Sequence, residues 1–261
     1  MTAVDTDFAH FIERIKHRTG IDLSLYKESQ MLRRLQHLRM RRGFSTFRAY
    51  EQALAREPLL HDEFLDHITI NVSEFFRNPA LWDTLQKKVL VDIAQQTRSI
   101  KCWSAACSTG EEPYSLSMQM MATSTFRSVD ILASDIDDGA LQKAREGHYR
   151  PDFLKNVPES VLKRYFKSTD ARYTVSAEVK KNVRFLKHNL LADPFERDFH
   201  LIMCRNVIIY FTDEAKDQLM HRFSQSLRPG GYLFLGGTEH IKQPGKYQLE
   251  SVETFFYRKR D

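Results

Sequence analysis

Cysteine is scarce in this sequence, and long apolar segments are missing from it. The 261 residues include three cysteines, Cys102, Cys107 and Cys204, which cannot all pair with one another and form no CxxC spacing. We therefore expect a reduced, cytoplasmic chain with neither a disulfide framework nor a metal site. No apolar run approaches the roughly 20 residues that a membrane-spanning helix needs. The first residues include acids and no apolar segment, which argues against a secretory signal.

The overall composition is that of an ordinary folded protein, with 42% hydrophobic and 28% charged residues. The length allows one large domain with a smaller companion. The formal net charge of +5 permits an acidic partner but does not require one.

Residues 1–70 show helical periodicity and no strand pattern. We expect helices at about residues 8–20, 26–42 and 45–56 and a fourth after Pro58, with Gly20 and Gly43 as stops. This pattern predicts a small all-helical N-terminal domain.

From residue 100 onward, short apolar runs alternate with helical stretches. Strands are predicted for the runs IKCWSAAC, VDILASD, NVRFLKH, FHLIMCRN and YLFLGG, and a hairpin for the segment after residue 246. Helices are expected at residues 113–122 and 139–146, and in TDEAKDQLMHRFSQSL, with Thr212 or Asp213 as its N-cap and RPGG as its stop. The alternation predicts a doubly wound α/β sheet within residues 71–261. Residues 150–187 are too long for a simple connection and include an alternating segment, so we expect a small antiparallel β insertion there.

The loop after the first predicted strand, WSAACSTGEEPYS, lacks the glycine triplet of a dinucleotide site. Gly110 is its single glycine, and the following helix opens with Glu111 and Glu112. These acids would repel a phosphate, whereas they suit a ligand that carries positive charge, such as the sulfonium and amino groups of S-adenosylmethionine. Asp135 ends the second strand, where doubly wound folds place a carboxylate on ribose hydroxyls. The alternative is that the acids complement a helix dipole and that the aspartates cap a helix.

Six motifs occur in one order: NVSEFFRN, WSAACSTGEEPYSL, ASDIDDGALQKAREGHY, HNLLAD, CRNVIIYF and RPGGYLFLGGTEH. Together they closely resemble the CheR-type chemotaxis methyltransferases. The resemblance implies a Rossmann-like methyltransferase sheet with an antiparallel insertion and a helical N-terminal domain. It also implies methyl transfer from S-adenosylmethionine to receptor glutamates, with S-adenosylhomocysteine as the product.

The resemblance also implies a set of site residues. Arg77 and Tyr210 are the expected catalytic residues. Arg77 either orients the substrate carboxylate or anchors the carboxylate of the cofactor, and Tyr210 closes the pocket near the methyl group. The expected cofactor-binding residues, which include both, are Asn71, Ser73, Arg77, Ala105, Gly110, Glu112, Asp135, Asn189, Leu190, Arg205, Asn206 and Tyr210.

A basic helix and the β insertion are the candidate docking elements. The helix carries Arg33, Arg34, Arg39, Arg41 and Arg42, which form either a solvated face or a surface for the acidic cytoplasmic domain of the receptors. In some relatives the insertion binds a tethering peptide at the receptor C-terminus through a glycine-containing loop. The segment KSTDARYTVSAEVKKN contains no glycine, so we expect no dependence on that peptide.

Two other functions share the cofactor site. A nucleic-acid methyltransferase would use the basic helix for phosphates, but no PPY follows Asn206 and the helix has no interleaved aromatic residues. A regulatory module could bind S-adenosylmethionine without turnover, although Arg77 and Tyr210 favour catalysis. A nicotinamide oxidoreductase is disfavoured by the missing glycine fingerprint. We expect no nucleic-acid partner, no membrane insertion and a monomer.

Overall fold

The computed structural model describes residues 3–69, 71–123, 125–169, 172–237 and 239–260 of the chain. The chain divides into two compact units. The first comprises Met1–Ile70 with Tyr210–Gln218, and the second comprises Asn71–Ile209 with Leu219–Asp261.

The first unit is helical, as expected. Its helices are α1 (Ala3–Thr19), α2 (Glu28–Arg41), α3 (Phe47–Leu54) and α4 (Pro58–Thr69). Aromatic rings form its core, because Phe11 contacts the rings of Phe47, Tyr50 and Phe64 at centroid distances of 5.0 to 6.1 Å.

Helix α2 begins two residues later than predicted. Tyr26 is extended and forms an isolated antiparallel bridge with Phe211, and their rings meet edge to face at 5.1 Å. Pairing with another segment of the same unit therefore overrides the helical pattern at this end. The predicted C-terminal end of α2 is close to the observed one, because Gly43 follows the helix with a φ of 80°.

The second unit contains the predicted doubly wound sheet. In chain order its strands and those of a smaller sheet are β1 (Ser99–Ala105), β2 (Ser128–Asp135), β3 (His148–Tyr149), β4 (Phe166–Thr169), β5 (Arg172–Val175), β6 (Val183–Lys187), β7 (Phe199–Cys204), β8 (Leu227–Leu235), β9 (Leu249–Glu253) and β10 (Phe256–Lys259). The main sheet has the order β6-β2-β1-β7-β8-β10-β9. Strand β10 is antiparallel to both neighbours, and the other pairs are parallel. The fold prediction is confirmed, and the strand order reverses between β1 and β7.

The helices of the second unit cover the sheet and its ends. They are α5 (Pro79–Thr84), α6 (Leu90–Gln96), α7 (Glu111–Thr123), α8 (Asp138–Glu146), α9 (Glu159–Tyr165) and α10 (Ala177–Lys180), and Leu85–Val89 forms a π turn between α5 and α6. Our sequence analysis does not predict the helical segment 79–96. Its buried residues Leu85, Val89 and Ile93 recur at helical spacing, so the signal was present.

The remaining long helix, α11 (Asp213–Ser226), starts as predicted. Thr212 caps it by accepting a hydrogen bond from the Ala215 N–H at 3.2 Å. The predicted stop, RPGG, instead lies inside β8, which pairs through Leu227 with Phe199 before the register shifts. Gly230 has a φ of 71°, so the glycine allows the strand to bulge there.

The β insertion is a three-stranded antiparallel sheet with the order β3-β5-β4. It starts at His148 and its last strand ends at Val175. Val183–Lys187 pairs with β2 in the main sheet, as predicted for the run NVRFLKH, so the range 150–187 expected for the insertion extends too far. Residues 170 and 171 of the predicted hairpin lie outside the described residues.

Candidate active site

The loops that follow β1 and β7 flank the point where the strand order reverses. In open α/β sheets ligands bind at such a point, beyond the carboxyl ends of the strands. The loop from Ala105 to Gly110, which we predicted to bind the cofactor and therefore call the cofactor loop, has positive φ at Ala106 (59°), Ser108 (49°) and Gly110 (94°). Two non-glycine residues in this region store backbone strain, which clusters at functional sites.

Gly110 is needed for space as well as for its φ. A Cβ at this position would lie 2.9 Å from Ala144 Cβ and 3.1 Å from the Tyr149 hydroxyl oxygen. The lone glycine of the loop therefore lets the chain pass close to α8 and β3.

Asp135 is the last residue of β2, and its side chain is hydrogen-bonded to the cofactor loop. Its carboxylate accepts the Ser108 N–H at 2.7 Å and the Asp137 N–H at 3.0 Å. Burial raises the pKa of Asp135 to about 6. Asp137, and not Asp135, caps α8 by accepting the Ala140 N–H at 3.0 Å. The helix-cap interpretation therefore applies to the neighbour, and Asp135 stays available to the site.

Glu111 does not face a ligand, contrary to our interpretation that both glutamates after the loop suit a positively charged group. Its side chain is fully buried and accepts the Thr109 hydroxyl at 2.7 and 2.9 Å. Burial raises the pKa of Glu111, and a hydrogen bond with Ser73 opposes that rise. The Glu111 carboxylate can lie inside the protein because these two hydroxyl groups form hydrogen bonds with it there.

Glu112, in the first turn of α7, is paired with Arg205, which follows β7. Its carboxylate accepts the Ser104 hydroxyl at 2.8 Å and lies 3.5 Å from Arg205 Nη1. Burial raises the pKa of Glu112, and Arg205 counteracts this effect. Arg205 is 3% exposed at its side chain, donates to the Arg77 carbonyl at 2.9 Å and to Asn78 Oδ1 at 3.0 Å, and so serves the protein interior.

The segment from Asn71 to Arg77 lies beside the cofactor loop. Asn71 donates to Asp137 Oδ2 at 2.7 Å and accepts the Ser108 hydroxyl at 2.9 Å. Arg77 is half-buried and donates to the Val72 carbonyl at 3.0 Å. Asn71 is thereby joined to the cofactor loop and to the N-cap of α8, and Ser73 is joined to Glu111 at the start of α7.

The segment after β6 approaches the same edge of the sheet. The His188 N–H donates to the Asp135 carbonyl at 2.8 Å, which brings Asn189 and Leu190 close to Asp135 in the chain path. Asn189 Oδ1 accepts the Leu191 N–H at 2.9 Å, and Leu190 is buried.

Asn206 follows β7 with a φ of 62°. Its N–H donates to Glu239 Oε2 at 2.8 Å, and the Gly236 N–H donates to the same oxygen at 2.7 Å. Our sequence analysis missed Glu239, a 3% exposed carboxylate that joins the loops after β7 and β8. The glycine pair after an apolar strand was its only signal, because a Cβ at Gly236 would lie 2.5 Å from Glu239 Oε2.

The other predicted residues are Ala105 and Tyr210. Ala105 is fully buried at the end of β1. Tyr210 belongs to the first unit, where its carbonyl accepts the Lys27 N–H at 2.8 Å.

Two family models match the chain. The all-alpha domain of CheR methyltransferases matches residues 6–69, and the SAM-binding domain of CheR methyltransferases matches residues 71–256. This chain belongs to the CheR methyltransferase family. A chemotaxis protein methyltransferase from Listeria monocytogenes is 42% identical over 98% of this chain and 98% of its own length. A relative of the same name from Borreliella burgdorferi is 33% identical over 97% of this chain and 94% of its own length. Chemotaxis protein methyltransferase 2 from Pseudomonas aeruginosa is 36% identical over 90% and 86%, respectively.

The resemblance inferred from the six motifs is thereby confirmed, and the protein is a methyltransferase with S-adenosylmethionine as its cofactor. The geometry of this CheR-family site fits that molecule. The described hydrogen bonds of Asp135 come from the backbone N–H groups of Ser108, Ile136 and Asp137 and not from lysine or arginine, so no ion pair in the described contacts neutralises its charge. A carboxylate there attracts a cationic ligand and repels a phosphate.

The predicted docking arginines of this CheR-family protein differ in their surroundings. Arg33 is exposed, and Arg41 and Arg42 pair with Glu63 at 2.8 and 2.6 Å. These three arginines are therefore exposed on α2 and at its C-cap, and Glu63 offsets part of the charge of Arg41 and Arg42. Arg39 lies 4.9 Å from the centre of the Phe47 ring, and Arg34 donates to the His67 carbonyl, so both are partly structural.

Within the described ranges, no group of three or more His, Cys, Asp or Glu side chains is arranged to hold a metal ion. None of the helices described above combines the length and apolar character that crossing a membrane requires.

Proposed function

We propose that this methyltransferase methylates glutamate side chains in the cytoplasmic domain of chemotaxis receptors, forming glutamyl methyl esters, and works as a cytoplasmic monomer. It would thus be a protein-glutamate O-methyltransferase that releases S-adenosylhomocysteine. The observation that carries the proposal is the end-to-end match, at 42% identity, with a chemotaxis protein methyltransferase. The acidic site, with Asp135 at its centre, supports a cationic methyl donor over a phosphorylated nucleotide.

The chemistry requires positioning more than proton transfer. A glutamate carboxylate has an ordinary pKa of about 4.3, so it is already the nucleophilic anion at neutral pH. S-adenosylmethionine, when bound, supplies an electrophilic methyl group. The protein must then hold an acceptor oxygen in line with the methyl carbon at about 3 Å and exclude water.

We assign these tasks to the predicted site residues. Asn71, Ser73 and Asp135 would hold the cofactor together with the cofactor loop, Asn189, Leu190 and Asn206. Arg77 would grip the substrate carboxylate, because a guanidinium presents a fixed pair of donors. Its bond to the Val72 carbonyl limits its motion. For Tyr210 we propose the catalytic role that the family resemblance implies.

Docking is proposed to use the exposed arginines of α2, with the receptor's acidic helices as partner. Arg33, Arg41 and Arg42 supply the exposed positive charge, which would accelerate association and lose strength with salt. We further propose that the insertion binds no tethering peptide, since KSTDARYTVSAEVKKN has no glycine. Micromolar binding of that peptide in a pull-down would overturn this part.

The test is transfer of a labelled methyl group to receptor-bearing membranes or to total RNA. Base-labile label on the receptor, released as methanol, is expected. Label on RNA would reject the proposal, and no transfer to either substrate would favour a sensor. Arg77→Ala is expected to reduce receptor labelling at least tenfold. Arg150→Ala, which removes an exposed arginine that pairs with Asp152 and lies 5.6 Å from the centre of the Phe153 ring, is the control and should leave labelling unchanged.

A further inference from the structure

A tyrosine of the inserted sheet reaches the cofactor loop. Tyr149 lies in β3, opposite Tyr173 of β5, and is 4% exposed. Its hydroxyl donates to the Thr109 carbonyl at 2.6 Å. Burial raises the pKa of Tyr149, so the hydroxyl stays protonated and acts as a donor across the physiological range.

The cofactor loop needs such an external contact because its own hydrogen bonds are few and its backbone is strained. Thr109 stands between Ser108 and Gly110, which both have positive φ. Within the loop the Gly110 N–H donates to the Cys107 carbonyl at 3.1 Å. The Tyr149 hydroxyl oxygen would lie 3.1 Å from a Cβ at Gly110, so it packs against the loop where it also bonds.

The ring of Tyr149 contacts the second cofactor-binding segment. It meets the Phe75 ring edge to face at 4.8 Å. Phe75 lies between Ser73 and Arg77, is fully buried, and packs at 5.2 Å on Phe166 of the inserted sheet. The Phe75 N–H donates to the Phe153 carbonyl at 3.2 Å, so the backbone of this segment is also attached to the insertion.

We propose that Tyr149 is a positioning residue for cofactor binding, which holds the cofactor loop through its hydroxyl and the segment 71–77 through its ring. The inserted sheet then has a role in the binding of S-adenosylmethionine, apart from any role in receptor docking. The inference rests on the proposed function only in assigning these two segments to the cofactor.

The test compares Tyr149→Phe with Tyr114→Phe. Both changes remove one hydroxyl and keep the ring. Tyr114 is also buried, and its hydroxyl donates to a backbone carbonyl, that of Ala144 in α8 at 2.8 Å, but not to the cofactor loop. The two variants should therefore lose similar stability, while only Tyr149→Phe should bind the cofactor more weakly.

We expect Tyr149→Phe to raise the dissociation constant of S-adenosylhomocysteine about fivefold to tenfold by calorimetry, as loss of one hydrogen bond predicts. KM for S-adenosylmethionine should rise by the same factor, while kcat at saturating cofactor changes less than twofold. Hydrogen exchange at the Gly110 N–H should accelerate. Equal affinities for the two variants, or a loss in kcat with unchanged affinity, would overturn the inference. If the unaltered protein bound no S-adenosylhomocysteine, the cofactor assignment itself would fail, which is a distinguishable result.

Discussion

The buried pair between Arg205 and Glu112 offers the sharpest test of how the site is held. Arg205→Leu removes the cation but keeps an apolar side chain against the Phe234 ring, which the guanidinium covers at 4.7 Å. Glu112 then keeps the Ser104 hydroxyl as partner but loses its counter-charge. Since Glu112 is 14% exposed at its side chain, water cannot replace the arginine fully.

The expected loss is about 3–5 kcal/mol in the free energy of unfolding at pH 7, the cost of leaving one member of a buried pair unpaired. Glu112→Gln keeps a hydrogen-bonding side chain without the charge. In the double variant the uncompensated charge is gone, so its loss should be smaller than the sum of the single losses by at least about 1 kcal/mol. Contacting residues couple in this way, whereas independent sites add within about 0.3–0.5 kcal/mol.

The pH dependence of the free energy of unfolding provides a second test. Burial raises the pKa of Glu112 in the folded state, and removing Arg205 takes away the attraction that opposes the rise. A carboxyl with a raised folded pKa destabilises the fold as the pH rises through that pKa. The deficit of Arg205→Leu should therefore shrink as the pH falls toward the ordinary glutamate pKa of about 4.3. Urea denaturation followed by circular dichroism at pH 7 and pH 5 measures both effects. A loss below 1 kcal/mol, or additive single losses, would refute the reasoning.

Three other changes test the cofactor loop, Asp135 and the basic helix. Burial raises the pKa of Asp135 to about 6, so the affinity for S-adenosylhomocysteine should be constant above pH 7. Below pH 6 the affinity should fall about tenfold per pH unit, because the acceptor carboxylate is protonated. Calorimetry of Asp135→Asn should show weak binding that does not depend on pH in this way. Gly110→Ala should cost about 1–3 kcal/mol in unfolding and weaken cofactor binding, because φ is 94° and Ala144 is 2.9 Å away, while Gly237→Ala, with nothing within 4 Å, should be neutral. Arg33→Glu should slow association with receptor membranes at low salt in stopped-flow measurements, whereas Arg127→Glu, at an exposed position of the second unit, should not; equal rates would remove α2 from the docking surface.

The local sequence pattern was enough to predict most of the fold. The apolar runs at β1, β2 and β7 are short and buried on both faces, so their strand character is visible without any partner. Gly43 and Thr212 mark the end of α2 and the start of α11 by their own backbone and hydroxyl chemistry. The start of α2 was misplaced because Tyr26 pairs with Phe211, which lies far away in sequence.

The site was predicted as a list of positions, but not as a set of contacts. The loop sequence gave Glu111 and Glu112 the same expected role, and only the structure separates a carboxylate buried on Thr109 from one paired with Arg205. The Arg205–Glu112 contact joins residues 93 positions apart, and it depends on the register of β7 against β1. Our sequence analysis did not single out Tyr149 for the same reason, because its hydrogen bond to Thr109 joins residues 40 positions apart.

These contacts imply that the loop motif alone does not shape the crevice. Glu239 accepts the Asn206 N–H and so joins the loop after β8 to the loop after β7. Arg205, the residue before Asn206, pairs with Glu112, and Glu112 accepts the hydroxyl of Ser104 in β1. The chain of bonds thus crosses three adjacent strands at their carboxyl ends, and both carboxylates in it are bonded, with Glu239 buried and Glu112 14% exposed at its side chain. Moving the cofactor loop and the start of α7 into another α/β sheet without Arg205 would leave Glu112 largely buried and uncompensated, at a cost comparable to much of a domain's stability. The structure of the crevice therefore depends on residues that follow β7 and β8 as well as on the loop that contains Gly110.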